Sequence, residues 1–362
     1  MINILFKSVI IFIWVVISGC NQIKIKNNYS NKSFCLTHTK QLTFTGDNGE
    51  AYFSTNDERL VFQSRRDGNQ CDKIYTMSAE GENIQMLPYT KGAFTCSYFS
   101  INDQYIFFSS TMQDGPECPE VYKDPDSRKY IWPLRNFDIY RISKDNKIKN
   151  LTLSNGYDAE ATVHPVENKI IFTSLRNGDI DLYEMDYDGG DLKRITKEFG
   201  YDGGAFYSPN GEKIVWRGWH PDTEEERMQW IKNMNNNYIE SVPLDIFIAN
   251  RDGSNRKRLT NNGATNWSPS WHPSGKYIVF SSNMDNWLEE HNSYGPNFEL
   301  YLMEIETGEL HRLTSNNTFD SFPVFSKNGR KLVYSSNRNA DNPRQTNIFI
   351  SELHYTTNLL SY

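Results

Sequence analysis

The chain has 362 residues, of which 38% are hydrophobic and 14% aromatic, and its formal net charge is −7. An acidic balance with no cluster of Lys and Arg argues against nucleic-acid binding, which needs a basic footprint for the phosphates. The length exceeds what a single packed core usually holds, so the chain must divide into domains or be built from repeats.

The first twenty residues differ from all that follow. Lys7 gives a weakly positive start, Ser8 to Ile17 form an apolar run, and Ile17-Ser18-Gly19-Cys20 closes it. The run is too short to span a bilayer comfortably and reads as the core of a signal peptide. Small residues before a cysteine resemble a bacterial lipobox, so residues 1–20 are expected to be a lipoprotein signal with Cys20 lipidated. Residues 21–34 are polar and Asn/Lys-rich, as a flexible tether would be. Asn21 is not the aspartate that retains lipoproteins at the inner membrane. The expected location is therefore the cell envelope, at the outer membrane facing the periplasm in a Gram-negative host.

From there the chain repeats a thirteen-residue phrase six times without a gap: YFSTNDERLVFQS at 52–64, YFSINDQYIFFSS at 98–110, TVHPVENKIIFTS at 162–174, FYSPNGEKIVWRG at 206–218, SWHPSGKYIVFSS at 270–282 and VFSKNGRKLVYSS at 324–336. Each is an apolar run, a Pro/Asn/Gly/Asp turn and a β-branched or aromatic run, which spells a β-hairpin. A third strand follows in each unit (DKIYTM, FDIYRI, IDLYEM, LDIFIA, FELYLM, TNIFIS), and a fourth ending near Leu-Thr follows in five of them. Four short strands repeated radially make a propeller blade. The sixth unit lacks its fourth strand, and the missing phrase stands at the other end of the chain as HTKQLTF at 38–44. The predicted fold is all-β: a six-bladed β-propeller of four-stranded antiparallel blades over 35–362, closed by an N-terminal strand that completes the last blade and removes an exposed edge.

The connections from second to third strand (65–71, 111–136, 175–179, 219–243, 283–297 and 337–345) share one face, the top, and hold every long insertion. Long loops on one face of a rigid scaffold mark where function sits. Residues 221–238 carry Thr223 and Glu226 as a capping box and are expected to form a short helix packed through Met228, Ile231, Met234 and Tyr238. Tyr122, Tyr130, Trp132 and Trp287 lie in the other insertions, and Cys71, Cys96 and Cys118 fall on the same face, where one disulfide among the three is expected.

The candidate binding residues form a ring. Four positions before each hairpin phrase stand Asn48, Phe94, Asp158, Asp202, Asn266 and Asp320, and two positions later come Glu50 and Glu160. Convergent carboxylates at a channel mouth would hold a cation or a basic peptide, although Asp and Asn also cap their own turns. Arg66, Arg176 and Arg338 recur at one blade position and are expected to act as struts between blades. His220 and His291 lie in separate top insertions, where they would meet only if both reach over the channel. No nucleophile elbow, zinc spacing or Gly-rich phosphate loop is present, so no catalytic residue, metal or cofactor is expected.

The phrases FYSPNGEKIVW, SWHPSGKYIVFSSN and LDIFIANRDGSNRKRLT resemble the repeats of the TolB-type propeller family, and the resemblance runs through nearly the whole region after the tether. It implies a non-enzymatic propeller that binds protein partners at its channel mouth within an envelope-spanning complex. Two features depart from the family pattern: an α/β domain is expected ahead of the propeller where this chain has a tether, and the lipobox is foreign to it. The expected function is thus a lipid-anchored envelope binding or scaffold protein with a protein or peptide partner. The alternative is a sugar-active or peptidase-related propeller enzyme with a carboxylate/His site at the top mouth.

Overall fold

The computed structural model describes residues 32–89, 91–120, 131–340, 342 and 345–357. The expected signal peptide, lipobox Cys20, most of the tether, Tyr122 and Tyr130 lie outside the described residues. Six four-stranded antiparallel sheets are the six expected blades, joined by two short two-stranded ribbons. The innermost strands are Asp47–Phe53, Phe94–Phe99, Asp158–Val163, Tyr201–Tyr207, Asn266–Trp271 and Asp320–Phe325. A single α-helix, Glu224–Asn235, stands among the described residues.

The ring closes as the repeat count predicts. The strand Lys32–Gln41 pairs antiparallel with Asn347–Thr357, from Lys32 opposite Thr357 to Gln41 opposite Phe349, with a register break between Thr37 and Lys40. It begins three residues before the expected boundary, so Lys32, Ser33 and Phe34 are strand rather than tether. The join is also apolar: Leu42, Leu60, Phe62 and Met77 pack against Val333, Ile348 and Ile350 of the last blade. Five further clusters fill the other blade interfaces, each drawing β-branched or aromatic residues from two neighbours. Stability in such a ring comes from nearest-neighbour interfaces, so an open seam would leave two apolar faces in water.

The bottom turns explain the two His-Pro dipeptides. Ser208 and Ser326 accept from the backbone N–H groups of Lys213 and Lys331 at 2.9 Å each. His164 holds the same turn position, and its Nδ1 accepts from the Glu167 N–H at 2.9 Å. The other edge of each imidazole reaches the next blade. A Cβ on Gly211 would stand 2.2 Å from His164 Nε2, and one on Gly329 would stand 2.6 Å from His272 Nε2. Both glycines also have φ above +70°, so glycine is required there twice over, by backbone conformation and by space. Burial pushes both histidines below the ordinary imidazole value, consistent with neutral wedges between blades.

Two sequence expectations are corrected. Arg176 and Arg338 donate to Asp158 at 2.9 Å and Asp320 at 2.5 Å, and Arg66 donates to Asn48 at 3.0 Å. Each pair lies within one blade, so these arginines fasten the innermost strand to the loop after the second strand and do not bridge blades. The helix has its capping box, with Thr223 accepting from the Glu226 N–H, and Met234 and Tyr238 pack inward as expected, but Met228 and Ile231 do not. Trp230 and Asn233 are the buried residues, while Met228 is 57% exposed and Ile231 36%. Trp230 wins the inward position because its indole N–H has a buried acceptor, Asp179 Oδ1 at 2.8 Å.

Candidate functional site

The site lies on the propeller axis and is produced by one backbone event repeated in every blade. Each innermost strand loses register with the second strand between its third and sixth residues or their equivalents: Gly49/Tyr52, Thr95/Tyr98, Ala159/Thr162, Gly203/Phe206, Trp267/Ser270 and Ser321/Val324. The first residue inside each break has positive φ: Glu50 52°, Cys96 50°, Glu160 62°, Gly204 63°, Ser268 50° and Phe322 54°. A bulge inserts a residue and re-aims a side chain. These six positions, one per blade, line the central cavity with Arg217. The cavity measures about 30 Å³, room for about two waters.

Arg217 organises it. The guanidinium donates to Glu160 Oε1, and Glu160 Oε2 accepts from Thr173 Oγ1 at 2.8 Å. The arginine crosses from blade 4 to blade 3 through the gap at Gly204, where a Cβ would collide with Nη1. Its upper face lies 3.9 Å from the ring centre of Trp267 and 5.6 Å from that of Trp132, a cation–π stack in a desolvated site. Below the bulge ring, Tyr52, Tyr98 and Phe206 close the bottom, with ring centroids 5.1 to 6.1 Å apart. Ser97 Oγ, Ser268 Oγ and Arg217 Nε are buried polar atoms on the cavity lining without a hydrogen-bond partner.

The roof comes from two insertions that meet. Ile131–Pro133 from blade 2 pairs with Tyr238–Glu240 from blade 4, and the ribbon sets Trp132 5.6 Å from Trp267 and 6.2 Å from Tyr157. Beneath and beside it, Leu134, Tyr157, Tyr201, Trp230, Ile239 and Leu244 form a seventh apolar cluster. The top mouth is therefore covered by protein, and helix Glu224–Asn235 presents Met228 and Ile231 outward from that cover.

The expected aspartate ring does not converge. Asp158, Asp202, Asp320, Asn48 and Asn266 are at most 1% exposed. Each is spent inside its own blade or on the adjoining strand end. Asp158 and Asp320 hold their arginines, and Asp202 accepts from Trp216 Nε1 at 2.6 Å. Asn48 accepts from Ser64 Oγ at 2.8 Å, and Asn266 donates to the Leu244 carbonyl at 2.9 Å. Glu50 and Glu160, two positions on, are the members that reach the axis. Sequence reading singles out Cys96 only as a disulfide candidate and passes over Ser268, Phe322 and Arg217. The first three occupy the repeat column of Glu50 and Glu160. Arg217 is the outlier in its own column, where the other blades have Gln63, Ser109, Thr173, Ser281 and Ser335. His220 and His291 have separate partners: His220 lies 3.3 Å from Asp202, and His291 is exposed beside Glu290. A disulfide joins Cys71 to Cys118 with Cα atoms 5.6 Å apart, and Cys96 is a free buried thiol.

Charge in the cavity is unbalanced. Burial, then the neighbouring Glu160 carboxylate, pushes Glu50 up to about 7. Burial and the same two carboxylates push the Cys96 thiol well up, so it stays protonated and unreactive. Because the folded form of Glu50 binds a proton that the unfolded chain releases near 4.5, its contribution to stability falls as pH rises between those values. Glu50→Gln is thus expected to raise stability at pH 8 and to be nearly neutral at pH 5, read from urea unfolding at both. Equal effects at the two pH values would show that Glu50 does not titrate in that window.

No family model matches the chain. It is 31% identical over 112 residues to the Tol-Pal system protein TolB of Francisella tularensis, a match covering 30% of this chain and 22% of that relative. An uncharacterised protein of Agrobacterium fabrum is 22% identical over 233 residues, covering 61% of this chain and 67% of the relative. Among solved structures, TolB from Acinetobacter baumannii superposes with a TM-score of 0.56 at 18% identity, over 83% of this chain and 64% of that one. A TolB-like structure from Agrobacterium tumefaciens gives 0.55 at 16% identity, over 89% and 98%. At these identities the solved structures speak to fold, and the curated TolB match spans 22% of its relative's length. With six closed four-stranded blades, the chain is a six-bladed β-propeller whose fold is similar to that of TolB.

Proposed function

We propose that the protein is a non-enzymatic binding protein of the cell envelope, lipid-anchored through Cys20 at the outer membrane and facing the periplasm, which docks a protein partner on its roofed top face. The observation that carries this reading is the outward side of helix Glu224–Asn235. Met228 and Ile231 stand exposed one turn apart, beside Glu224 and Glu225 at the helix start. Helical residues three apart share a face, and an apolar pair beside carboxylates suits a partner segment bearing an apolar anchor and a cation. The fold-level likeness to TolB, a Tol-Pal system protein by name, supports the envelope setting.

The test is affinity capture from the host's envelope fraction with the wild-type protein and with Met228→Glu/Ile231→Glu. The variant is expected to lose the captured partner while its unfolding free energy stays within about 0.5 kcal/mol, as for other exposed positions. Undiminished capture would refute docking at this face. Fractionation of Cys20→Ser cells addresses the anchor separately: release from the membrane fraction supports it, and unchanged membrane association refutes it.

A further inference from the structure

The seam between the first and last described strands carries three metal-ligating groups that the binding face does not use. Glu352 and His354 alternate along Asn347–Thr357 and therefore point to one side of the sheet. Across from them, Thr37 is the register partner of Glu352 and Cys35 that of His354. Regular alternation after Thr37 would send His38 to the other side. The register break falls there instead, and His38 adopts φ +49°. This bulge turns His38 toward the pair, as bulges next to sites do.

The resulting distances are those of a ligand set. His38 Nδ1 lies 3.2 Å from Glu352 Oε2, and His354 Nε2 lies 3.6 Å from the same oxygen. All three donor atoms fall within 4.8 Å of one another. Ligands held about 2.0–2.2 Å from a tetrahedral ion stand about 3.3–3.6 Å apart, so two of the three separations already match. The nearby lysines do not occupy the carboxylate: Lys331, the register partner of Glu352 on the neighbouring strand, and Lys40 both reach toward Glu80, at 3.5 and 3.4 Å. Two imidazoles and one carboxylate favour a borderline divalent ion such as zinc over magnesium or calcium, which prefer oxygen ligands.

We propose that His38, Glu352 and His354 form a surface site for a zinc-class divalent ion. The ion fastens the first strand of the ring to the last, with water completing its coordination. Both strands must be in place to assemble the ligands, so the bound ion favours the closed ring by mass action. The site is half-exposed, with side chains 48–74% accessible, so the ion exchanges with solvent and the site responds to supply.

Isothermal titration of zinc chloride at neutral pH into the purified protein, prepared without a polyhistidine tag, tests the proposal. One site per chain is expected. His38→Ala and His354→Ala should each weaken it about tenfold or more, an effect at least as large as loss of an outer-shell partner, and magnesium should give no heat. His291→Ala, an exposed histidine of the top face, should bind as the wild type does. Hydrogen exchange should slow on zinc addition in 32–41 and 347–357 of the wild type and remain unchanged in His354→Ala. Absence of zinc binding, or binding equal in wild type and both variants, overturns the proposal.

Discussion

Replacing Arg217 by Met is expected to cost about 3–5 kcal/mol of unfolding free energy, the range for breaking a buried ion pair from one side. Arg217 is 3% exposed, and its guanidinium holds Glu160 across the joint between blades 4 and 3. Without it, two carboxylates remain in one small cavity, and the proximity of Glu160 already helps push Glu50 up to about 7. Methionine fills much of the arginine stem's volume and can pack on Trp267, so the loss reports charge more than space. Adding Glu160→Gln to Arg217→Met should restore a substantial part of the stability, because an amide can stay buried and accept from Thr173 without a counter-charge. Urea unfolding of the two single variants and the double variant measures the coupling. If the double variant is as unstable as Arg217→Met, the arginine acts through packing on the two tryptophans and the charge argument fails.

The architecture was legible because each strand carries its own signal. Apolar alternation and turn chemistry recur in six units, and the displaced fourth strand revealed where the ring closes. The site was only half legible. A repeat alignment places Asp158, Asp202 and Asp320 in one column but does not say which way they point. Their carboxylates turn into the blades because Arg176, Trp216 and Arg338 are there to receive them. The bulge two residues later then turns the next column to the axis. Conformations at positive φ leave no mark in a hydrophobic pattern, so Cys96, Ser268 and Phe322 went unread as channel residues. The roof was illegible for another reason. Ile131–Pro133 and Tyr238–Glu240 are three-residue strands in different insertions, too short for periodicity, and only their mutual pairing makes them a ribbon. The helix shows the same limit: its cap is a local hydrogen-bond motif and could be read, whereas its buried face depended on Asp179, which the fold brings from another blade.

Opening the Cys71–Cys118 bridge by Cys71→Ser is expected to lower stability by about 4 kcal/mol. The bonded residues are 47 apart in sequence, and the chain-entropy estimate for a loop of that length gives this figure. The pairing follows from where the thiols face. Cys96 sits at a bulge with φ 50° and looks into the axial cavity. Cys71 lies in the top loop of blade 1 and Cys118 in the top insertion of blade 2, so the bond spans the gap between neighbouring blades. The bridge therefore braces the joint between blades 1 and 2. Cys71→Ser should unfold at lower urea than the wild type and become more sensitive to protease within 111–120. Cys118→Ser should match it, and the double variant should lose no more than either single one, since each removes the same bond. Equal urea midpoints for the wild type and the variants would mean that the blade interface alone holds the two loops, and the brace would have no energetic role.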